Sequence, residues 1–281
     1  MVQLSLVIAV YNRADVLQLV LASVARQSFR DFEVVIADDG SGPGVRDVIE
    51  DARKIYSFPT VHAWHEDLGW RKNIAMNNAV RSSSGEYLVF VDGDCLLSKY
   101  FLEDHWKERE VGKVLLGRRV EMSERWTKSI TMDKITKGRF EHIGFSELLD
   151  GLKGKAVRLE DGVRIGNKTL RKLISREKNT ILGSNFSLYK SDLYAINGFD
   201  GLYDGPGLGE DSDVQYRLSL TRVNGKSIRN LAIEFHMYHK RTVASEESAR
   251  RFEAVMKSKV ARCNFGLDQV EPVEERSRRA T

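Results

Sequence analysis

The sequence lacks most features of secreted, membrane-spanning or disordered proteins. Two cysteines occur in 281 residues, Cys95 and Cys263, and neither belongs to a CxxC pair. Two distant cysteines cannot form a disulfide framework, so we expect free thiols in a reducing compartment. The N-terminus shows no basic n-region and no small-residue cleavage site, and its apolar run is shorter than the ~18 residues of a membrane span. We therefore expect a cytoplasmic protein.

A strong excess of one charge is also missing. The formal net charge is +4, and because a DNA- or RNA-binding protein usually carries a larger excess, we expect no nucleic-acid partner. The charge suits an enzyme with an anionic substrate, or a protein that contacts the acidic inner face of a membrane, and we leave both open. Hydrophobic residues make up 42% of the chain, which is enough for a sizeable core.

The first hundred residues alternate between strand and helix patterns. Apolar runs predict buried strands at residues 4–10, 32–37, 60–64 and 87–91. Helical spacing of apolar residues and turn signals predict helices at residues 15–27, 45–56 and 70–81. This order predicts an α/β fold with a parallel, doubly wound sheet. Ligands of such sheets bind beyond the carboxyl ends of the strands.

The remaining sequence is less regular. Residues 101–150 look helical, and residues 181–240 return to strand-like and turn-rich sequence. Between them, residues 151–178 carry nine Lys or Arg against three acidic residues and read as an exposed loop. That stretch is either a solvated face, a loop that binds an anionic acceptor, or a patch that docks to an anionic leaflet. Residues 271–281 predict a flexible tail.

Acidic turns follow two of the predicted strands. Asp92 and Asp94 flank Gly93, and two carboxylates so close can share a divalent cation with phosphate oxygens, although a plain surface turn is the alternative. Asp38 and Asp39 could accept from a ribose hydroxyl or a base N–H, or could close the strand as an Asx-type turn. No GxGxxG or GxxxxGK[ST] loop is present, so a metal must neutralise any bound diphosphate.

Two further groups of chemically active residues lie near the C-terminus. Glu210 and Asp211 follow a Gly-rich stretch that could close over a ligand, and they could instead cap the helix that begins there. His236 and His239 are candidate metal ligands or structural histidines. A zinc hydrolase is disfavoured because no HExxH motif or cysteine cluster accompanies them. We expect His62 and His65, by contrast, to be surface residues at a strand end.

Several of these segments resemble a known family. The stretches LSLVIAVYNR, VVIADDGS and GEYLVFVDGDC resemble the nucleotide-binding half of family-two glycosyltransferases of the GT-A fold, and GWRKNIAMNNAV resembles the helix that faces the nucleotide. SNFSLYKSDLYAINGFDGLYDGPGLGEDSDVQYRL resembles the C-terminal motif of β-1,4-galactosyltransferases and chondroitin-polymerase-type enzymes. The resemblance covers residues 4–100 and 181–241. Trp70 departs from the small or aliphatic residue usual at its position, and is either a lid over the base or a core residue.

The resemblance implies a role for each matching residue. It implies a metal site for Mn²⁺ or Mg²⁺ at Asp94 and His239, with His236 a weaker match. Asp211 would be the general base and Glu210 would bind the acceptor. The implied donor pocket comprises Val10, Asn12, Arg13, Asp39 or Asp38, Arg71, Asp92, Gly93 and Lys240, with Arg241 as a further diphosphate ligand.

The implied fold and function follow from the same likeness. We expect one GT-A domain over residues 1–270, divided into a nucleotide-sugar half (1–100), a helical and basic insertion (101–180) and an acceptor and catalytic half (181–245). We expect inverting transfer of a hexose or N-acetylhexosamine from a UDP-sugar to a glycan or glycolipid acceptor, as in the synthesis of surface polysaccharide, lipopolysaccharide or capsule. The alternatives are a sugar nucleotidyltransferase, whose signature after the first strand is missing, and an inactive glycan- or nucleotide-binding module. The oligomeric state is left open.

Overall fold

The structure, a computed structural model, describes residues 2–174, 180–205, 210–240 and 245–269, with the side chain of residue 210 excepted. The strands in these ranges are β1 (Leu4–Val10), β2 (Phe32–Asp38), β3 (Thr60–Trp64), β4 (Tyr87–Asp92), β5 (Cys95–Leu97), β6 (Lys113–Leu116), β7 (Arg119–Glu121), β8 (Phe186–Tyr189), β9 (Asn224–Ser227) and β10 (Glu234–His236). The helices are α1 (Ala14–Val24), α2 (Pro43–Ile55), α3 (Lys72–Ser82), α4 (Phe101–Glu108), α5 (Glu124–Lys128), α6 (Met132–Thr136), α7 (Phe145–Leu152), α8 (Lys168–Ile174), α9 (Lys190–Ala195), α10 (Glu210–Leu220) and α11 (Glu246–Ser258).

The main sheet has seven strands in the order β3-β2-β1-β4-β8-β6-β9. Strands β1 to β4 are mutually parallel, as the alternation of apolar runs and helical segments predicts. Strand β8 is antiparallel to both β4 and β6, and β9 is parallel to β6. The α/β class and the mostly parallel sheet are therefore confirmed.

Helices cover both faces of this sheet, which is why its central strands are continuously apolar. Alternate residues of β1 point to opposite faces, so Leu6 and Ile8 pack with α1 and α2, whereas Val7 packs with α3 and α10. Side chains on both faces of β1 are therefore buried among apolar side chains. Packing on both faces fixes the position of each strand along its own direction, and therefore also the position of its carboxyl end at the edge of the sheet.

The register of β1 with its neighbours aligns the acidic turns. Val10 pairs with Asp38 of β2, and Ala9 pairs with Asp92 of β4. Because the three strands are parallel, the turns that follow β2 and β4 emerge at the same edge of the sheet. The sequence positions of the carboxylates therefore place them around one cleft.

A second sheet of three short strands, in the order β5-β10-β7, completes that cleft. His236 pairs with Cys95 of β5 and with Glu121 of β7. Since Cys95 directly follows Asp94, this pairing carries the C-terminal histidines to the acidic turn after β4. A separation of more than 140 residues in sequence becomes a local contact.

The middle of the chain differs from the sequence prediction. Residues 101–150 were predicted to be helical, yet they include β6, which lies between β8 and β9 in the main sheet, and β7, which forms an edge of the small one. The division of the domain with residues 101–180 as an insertion stays a prediction. The expected exposed loop at residues 151–178 contains α8, and Val157 bridges to Glu121. Strands of three or four residues are too short to show a period, and tertiary pairing decides them. The predicted tail at 271–281 lies outside the described residues.

None of the helices in the described ranges is both long enough and apolar enough to cross a bilayer.

Candidate active site

A cavity of ≈ 920 Å³ opens at the carboxyl ends of β1 and β4. Its walls come from the turns after β1, β2 and β4, from the start of α3, and from β7 and the segment after β10. The residues that line it include Val10, Arg13, Asp39, Trp70, Asp92, Gly93, Asp94 and His239 from the sequence prediction, together with Tyr11, Lys72, Arg119, Glu121, Lys155, Val157 and His236. Most of the predicted site is thus gathered around one space.

Three potential metal ligands meet in this cavity. One ligand atom from each of Asp94, His236 and His239 lies within 4.8 Å of the others. Asp94 Oδ2 is 3.3 Å from His239 Nε2 and 3.5 Å from His236 Nε2. A carboxylate with two imidazoles is a donor set that suits Mn²⁺-like cations. The structure brings together the predicted pair, Asp94 and His239, and adds His236, which the resemblance matched less well.

Glu121 fixes the orientation of His236. Its Oε2 accepts a 2.8 Å hydrogen bond from His236 Nδ1, which turns Nε2 towards Asp94. Partial burial opposes ionisation of Glu121, but its hydrogen bond with His236 and the charge of Arg119 outweigh burial and lower its pKa to about 2. Burial would lower the pKa of His236, yet hydrogen bonds to Asp94 and Glu121 raise it to about 9. Burial would raise the pKa of Asp94, but its contacts with His236 and His239 lower it.

Two cations that the sequence analysis missed point at Asp92. Lys72 Nζ lies 3.0 Å from Asp92 Oδ1, and Arg119 Nη1 lies 3.9 Å from Asp92 Oδ2. Arg119 also donates from Nε to Glu121. The only available sequence signal was the alternation of charged and apolar residues in RVE, which is too short to identify a strand. These cations place positive charge where a phosphate group could bind.

The structure distinguishes the neighbouring carboxylates Asp38 and Asp39. Asp38 is fully buried and accepts from Ser41 N and from His62 Nε2. Asp39 lines the cavity; its Oδ2 accepts from Arg71 N, whereas its buried Oδ1 has no hydrogen-bond partner among the described residues. That buried oxygen faces His65 Nε2 at 3.2 Å, so the part of Asp39 that a ligand can meet is the remainder of the side chain, which lines the cavity. The geometry favours Asp39 over Asp38 as a ligand-binding residue.

The prediction that His62 and His65 are surface residues was wrong. The His62 side chain is 9% exposed and holds Asp38. His65 is buried, and its Nε2 lies 3.2 Å from Asp39 Oδ1 without hydrogen-bond alignment. Both histidines support the acidic turn after β2 because β3 pairs with β2 at this point.

The residues after β1 and β4 have different tasks. Asn12, with φ 52°, accepts from Gly42 N through its side chain and is not among the residues that line the cavity. Arg13 lines the cavity. Gly93 packs so tightly that a Cβ there would lie 2.8 Å from Ala9 O. Glycine at this position lets the acidic turn lie directly against β1.

Asp211 is linked to the cavity wall through the backbone of Gly183 and Ser184. Its Oδ2 accepts a 2.8 Å hydrogen bond from Gly183 N. The next residue, Ser184, accepts from Arg119, which does line the cavity. Asp211 and Arg71 are not among the described residues that line the cavity, and neither is Lys240, which is exposed beside His239. The side chain of Glu210, Arg241 and the glycines Gly207 and Gly209 lie outside the described residues.

Two family profiles match this sequence, and together they cover the residues that form the cavity. The profile of glycosyl transferase family 2 matches residues 5–186, which is more than half of the chain. The chain belongs to glycosyltransferase family 2. The profile of the N-terminal domain of galactosyltransferase matches residues 170–240, the segment that contains Asp211, His236 and His239.

Curated relatives of this family-2 chain are longer proteins. Chondroitin synthase of Escherichia coli is 25% identical over 229 residues, which are 76% of this chain and 32% of that protein. Validoxylamine A glucosyltransferase of Streptomyces hygroscopicus subsp. jinggangensis is 39% identical over 105 residues, 36% of this chain and 24% of that protein. The chain therefore spans less than a third of the length of either relative.

Solved structures show the same fold at low sequence identity. S. aureus TarS in complex with UDP matches with a TM-score of 0.60 and 16% identity, covering 94% of this chain and 67% of that one. The Pyrobaculum calidifontis mannosyltransferase in complex with GDP-Man and Mn²⁺ matches with a TM-score of 0.55 and 15% identity, covering 85% and 58%.

Proposed function

We propose that this family-2 chain transfers a hexose or N-acetylhexosamine from a UDP-sugar to a hydroxyl of a glycan or glycolipid acceptor, with inversion at the anomeric carbon. The observation that carries the proposal is the meeting of Asp94, His236 and His239 in the cavity that Asp39 also lines. The likeness to TarS in complex with UDP and with UDP-GlcNAc supports a uridine nucleotide. The likeness to chondroitin synthase supports a polysaccharide acceptor.

The nucleoside end of the donor would lie at Asp39. Its carboxylate lines the cavity and is of the type that accepts from the uracil N–H or a ribose hydroxyl. Tyr11 and the half-buried Trp70 line the same cavity and provide flat surfaces for a base or sugar. Asp92, held by Lys72, would contact the ribose.

The residues around Asp94 fit a divalent cation, Mn²⁺ or Mg²⁺. Asp94, His239 and His236 would hold it, and Glu121 would keep His236 in the required orientation. A bound cation would neutralise charge on the departing diphosphate. Arg119 lies in the same wall and would add to that positive field.

We propose Asp211 as the base that takes the proton from the acceptor hydroxyl, with Glu210 contacting the acceptor. The hydrogen bond from Gly183 N holds the Asp211 carboxylate in one orientation. A single displacement needs one carboxylate that is not occupied by the cation. We further propose a reducing, cytoplasmic compartment, with which the free thiols of Cys95 and Cys263 agree.

A panel of UDP-sugars tests the proposal through slow hydrolysis of the donor. We expect hydrolysis of one UDP-sugar in the presence of Mn²⁺, its loss with EDTA, and its recovery when Mn²⁺ is restored. Asp94→Asn should abolish this activity, whereas Asp51→Asn, on the exposed face of α2, should not change it. The proposal would be refuted if the protein neither bound nor hydrolysed any UDP-sugar of the panel, or if Asp94→Asn kept full activity.

The base is tested separately. Asp211→Asn keeps the size of the side chain and can still accept from Gly183 N. We expect transfer to an acceptor to fall by at least about 100-fold, while the KM for the donor stays within a few-fold of the wild-type value. Unchanged turnover would rule out Asp211 as the base without touching the donor assignment.

A further inference from the structure

Helix α7 is attached to the protein by its polar side. The buried Asp150 carboxylate accepts from Ser123 Oγ and from Arg125 Nη2. Glu147, half-buried, accepts from Gly144 N at the start of the helix. These contacts fix which side of α7 faces inward, and that side is hydrophilic.

The opposite side of α7 is apolar and faces solvent. Phe145, Leu148, Leu149 and Leu152 follow the i, i+3, i+4, i+7 spacing of one helical face. Their exposed fractions are 77%, 50%, 37% and 86%. A surface helix normally buries such a stripe, and here the arrangement is inverted. A contiguous exposed apolar surface of this kind marks a site that contacts another protein or a membrane.

Basic side chains border this apolar face. Lys153 is exposed directly after α7, and two further exposed cations follow on the cavity side, Lys155 in the cavity lining and Arg158 with its Nη1 3.9 Å from Glu121 Oε1. The acidic residues of α7 do not balance them on the outer side, because Asp150 is buried against Arg125 and Glu147 caps the helix. The outer surface therefore combines large apolar side chains with cations, which is the chemistry that binds anionic lipid interfaces.

The same segment forms one wall of the active-site cavity. Gly154, Lys155 and Val157 line the cavity, and Val157 is 46% exposed. Its backbone pairs with Glu121, which orients His236. A surface that contacts α7 would therefore lie at the mouth of the cavity.

We propose that the outer face of α7, with Lys153 and Lys155, docks this protein onto an anionic lipid bilayer and directs the cavity towards it. The basic border favours a bilayer over a second copy of the chain, because a twofold contact of this face with itself would bring the same cations together. The proposal goes beyond the transfer reaction, since it concerns the surface on which the protein works.

Sedimentation of the full chain with lipid vesicles tests this. We expect binding to vesicles that contain phosphatidylglycerol, weaker binding to pure phosphatidylcholine, and weakening by salt. The double variant Phe145→Ser/Leu152→Ser should lower partition at least about tenfold, because two large apolar side chains no longer enter the interface. Lys153→Gln should reduce binding to the anionic vesicles specifically. The matched controls Ile55→Ser and Val111→Ser remove side chains that are 71% and 81% exposed elsewhere, and should bind like wild type.

The variants at α7 should unfold at the wild-type temperature and hydrolyse the donor at the wild-type rate, because the substituted side chains are exposed and lie outside the cavity lining. Absence of binding to anionic vesicles by the wild-type chain would overturn the proposal. It would also be overturned if the wild-type chain formed dimers that the double variant abolished, since the face would then bind a second copy. Vesicle binding requires no donor, so its outcome is independent of the proposed transfer reaction.

Discussion

Replacing Glu121 by Gln measures how much the residue that orients His236 contributes to metal binding, without changing any of the three proposed ligands. The Glu121 carboxylate does not belong to the three-residue cluster, but it accepts from His236 Nδ1 at 2.8 Å and from Arg119 Nε at 2.9 Å. Glutamine has nearly the same shape, but it is neutral, and its amide nitrogen cannot accept the hydrogen bond that one of the two carboxylate oxygens accepts. The side chain is 19% exposed, so the change takes place in a largely desolvated position.

The magnitude follows from the ionisation of this carboxylate. Its pKa of about 2 means that Glu121 is fully ionised at neutral pH. In the variant, a neutral amide replaces a charged acceptor, and His236 loses the partner that fixes its tautomer and ring orientation. Removing such an outer partner typically weakens metal binding about 10- to 100-fold, which corresponds to about 1.4–2.7 kcal/mol.

Calorimetric titration with Mn²⁺ measures this effect without requiring substrate. Glu124→Gln is the matched control, because Glu124 lies three residues further along the chain, on α5, and forms an exposed ion pair with Lys128. Its Mn²⁺ affinity should equal that of wild type, and Asp94→Asn should bind far more weakly than Glu121→Gln. If Glu121→Gln binds Mn²⁺ within twofold of wild type while Asp94→Asn does not, Glu121 does not position His236. If Asp94→Asn binds as wild type does, the cluster is not the metal site.

Two further predictions concern packing and pH. Gly93→Ala places a Cβ 2.8 Å from Ala9 O, so the free energy of unfolding measured in urea should fall by about 1–3 kcal/mol. The control Gly44→Ala, in the exposed first turn of α2, should leave that free energy unchanged or raise it by up to about 1 kcal/mol. Equal effects of the two substitutions would contradict the packing argument. Burial lowers the pKa of His105 from the usual 6.5 to about 3, so the unfolded chain binds a proton in that interval that the folded chain does not. The stability linked to His105 is present above pH 6.5 and falls by up to about 1.4 kcal/mol per pH unit as pH decreases towards 3. His105→Gln should therefore flatten the loss of stability between pH 7 and 5, and an unchanged slope would show that His105 is not responsible.

Long elements were predictable because a single local period defines them. The apolar runs at residues 4–10 and 60–64 coincide with β1 and β3. The helices between them were located to within a few residues. Once the strands are parallel, their carboxyl ends must share an edge, so the sequence predicts one cleft that holds Asp92, Asp94 and either Asp38 or Asp39.

Short elements were not predictable in the same way. Strands β6 and β7 contain four and three residues, too few for a period to emerge, and they gain their hydrogen bonds only when β8, β9 and β10 are in place. Arg119 and Glu121 were missed for this reason. The inverted orientation of α7 also escaped, because a period shows that one face is apolar but not which face is turned outward.

The sequence by itself determined the α/β class, the alternation of strands and helices along the first hundred residues and the acidic residues at the strand ends, since each follows from a local pattern of burial or turn chemistry. Only the tertiary structure decided that His236 accompanies His239 at Asp94, that Asp39 rather than Asp38 lines the cavity, and that Glu121 stands behind the histidine. The positions of His236 and Glu121 depend on pairing between segments more than 100 residues apart, and the choice of Asp39 depends on the pairing of β2 with β3 and on the space left after the two cores have packed. Neither quantity is encoded in any short stretch of the chain.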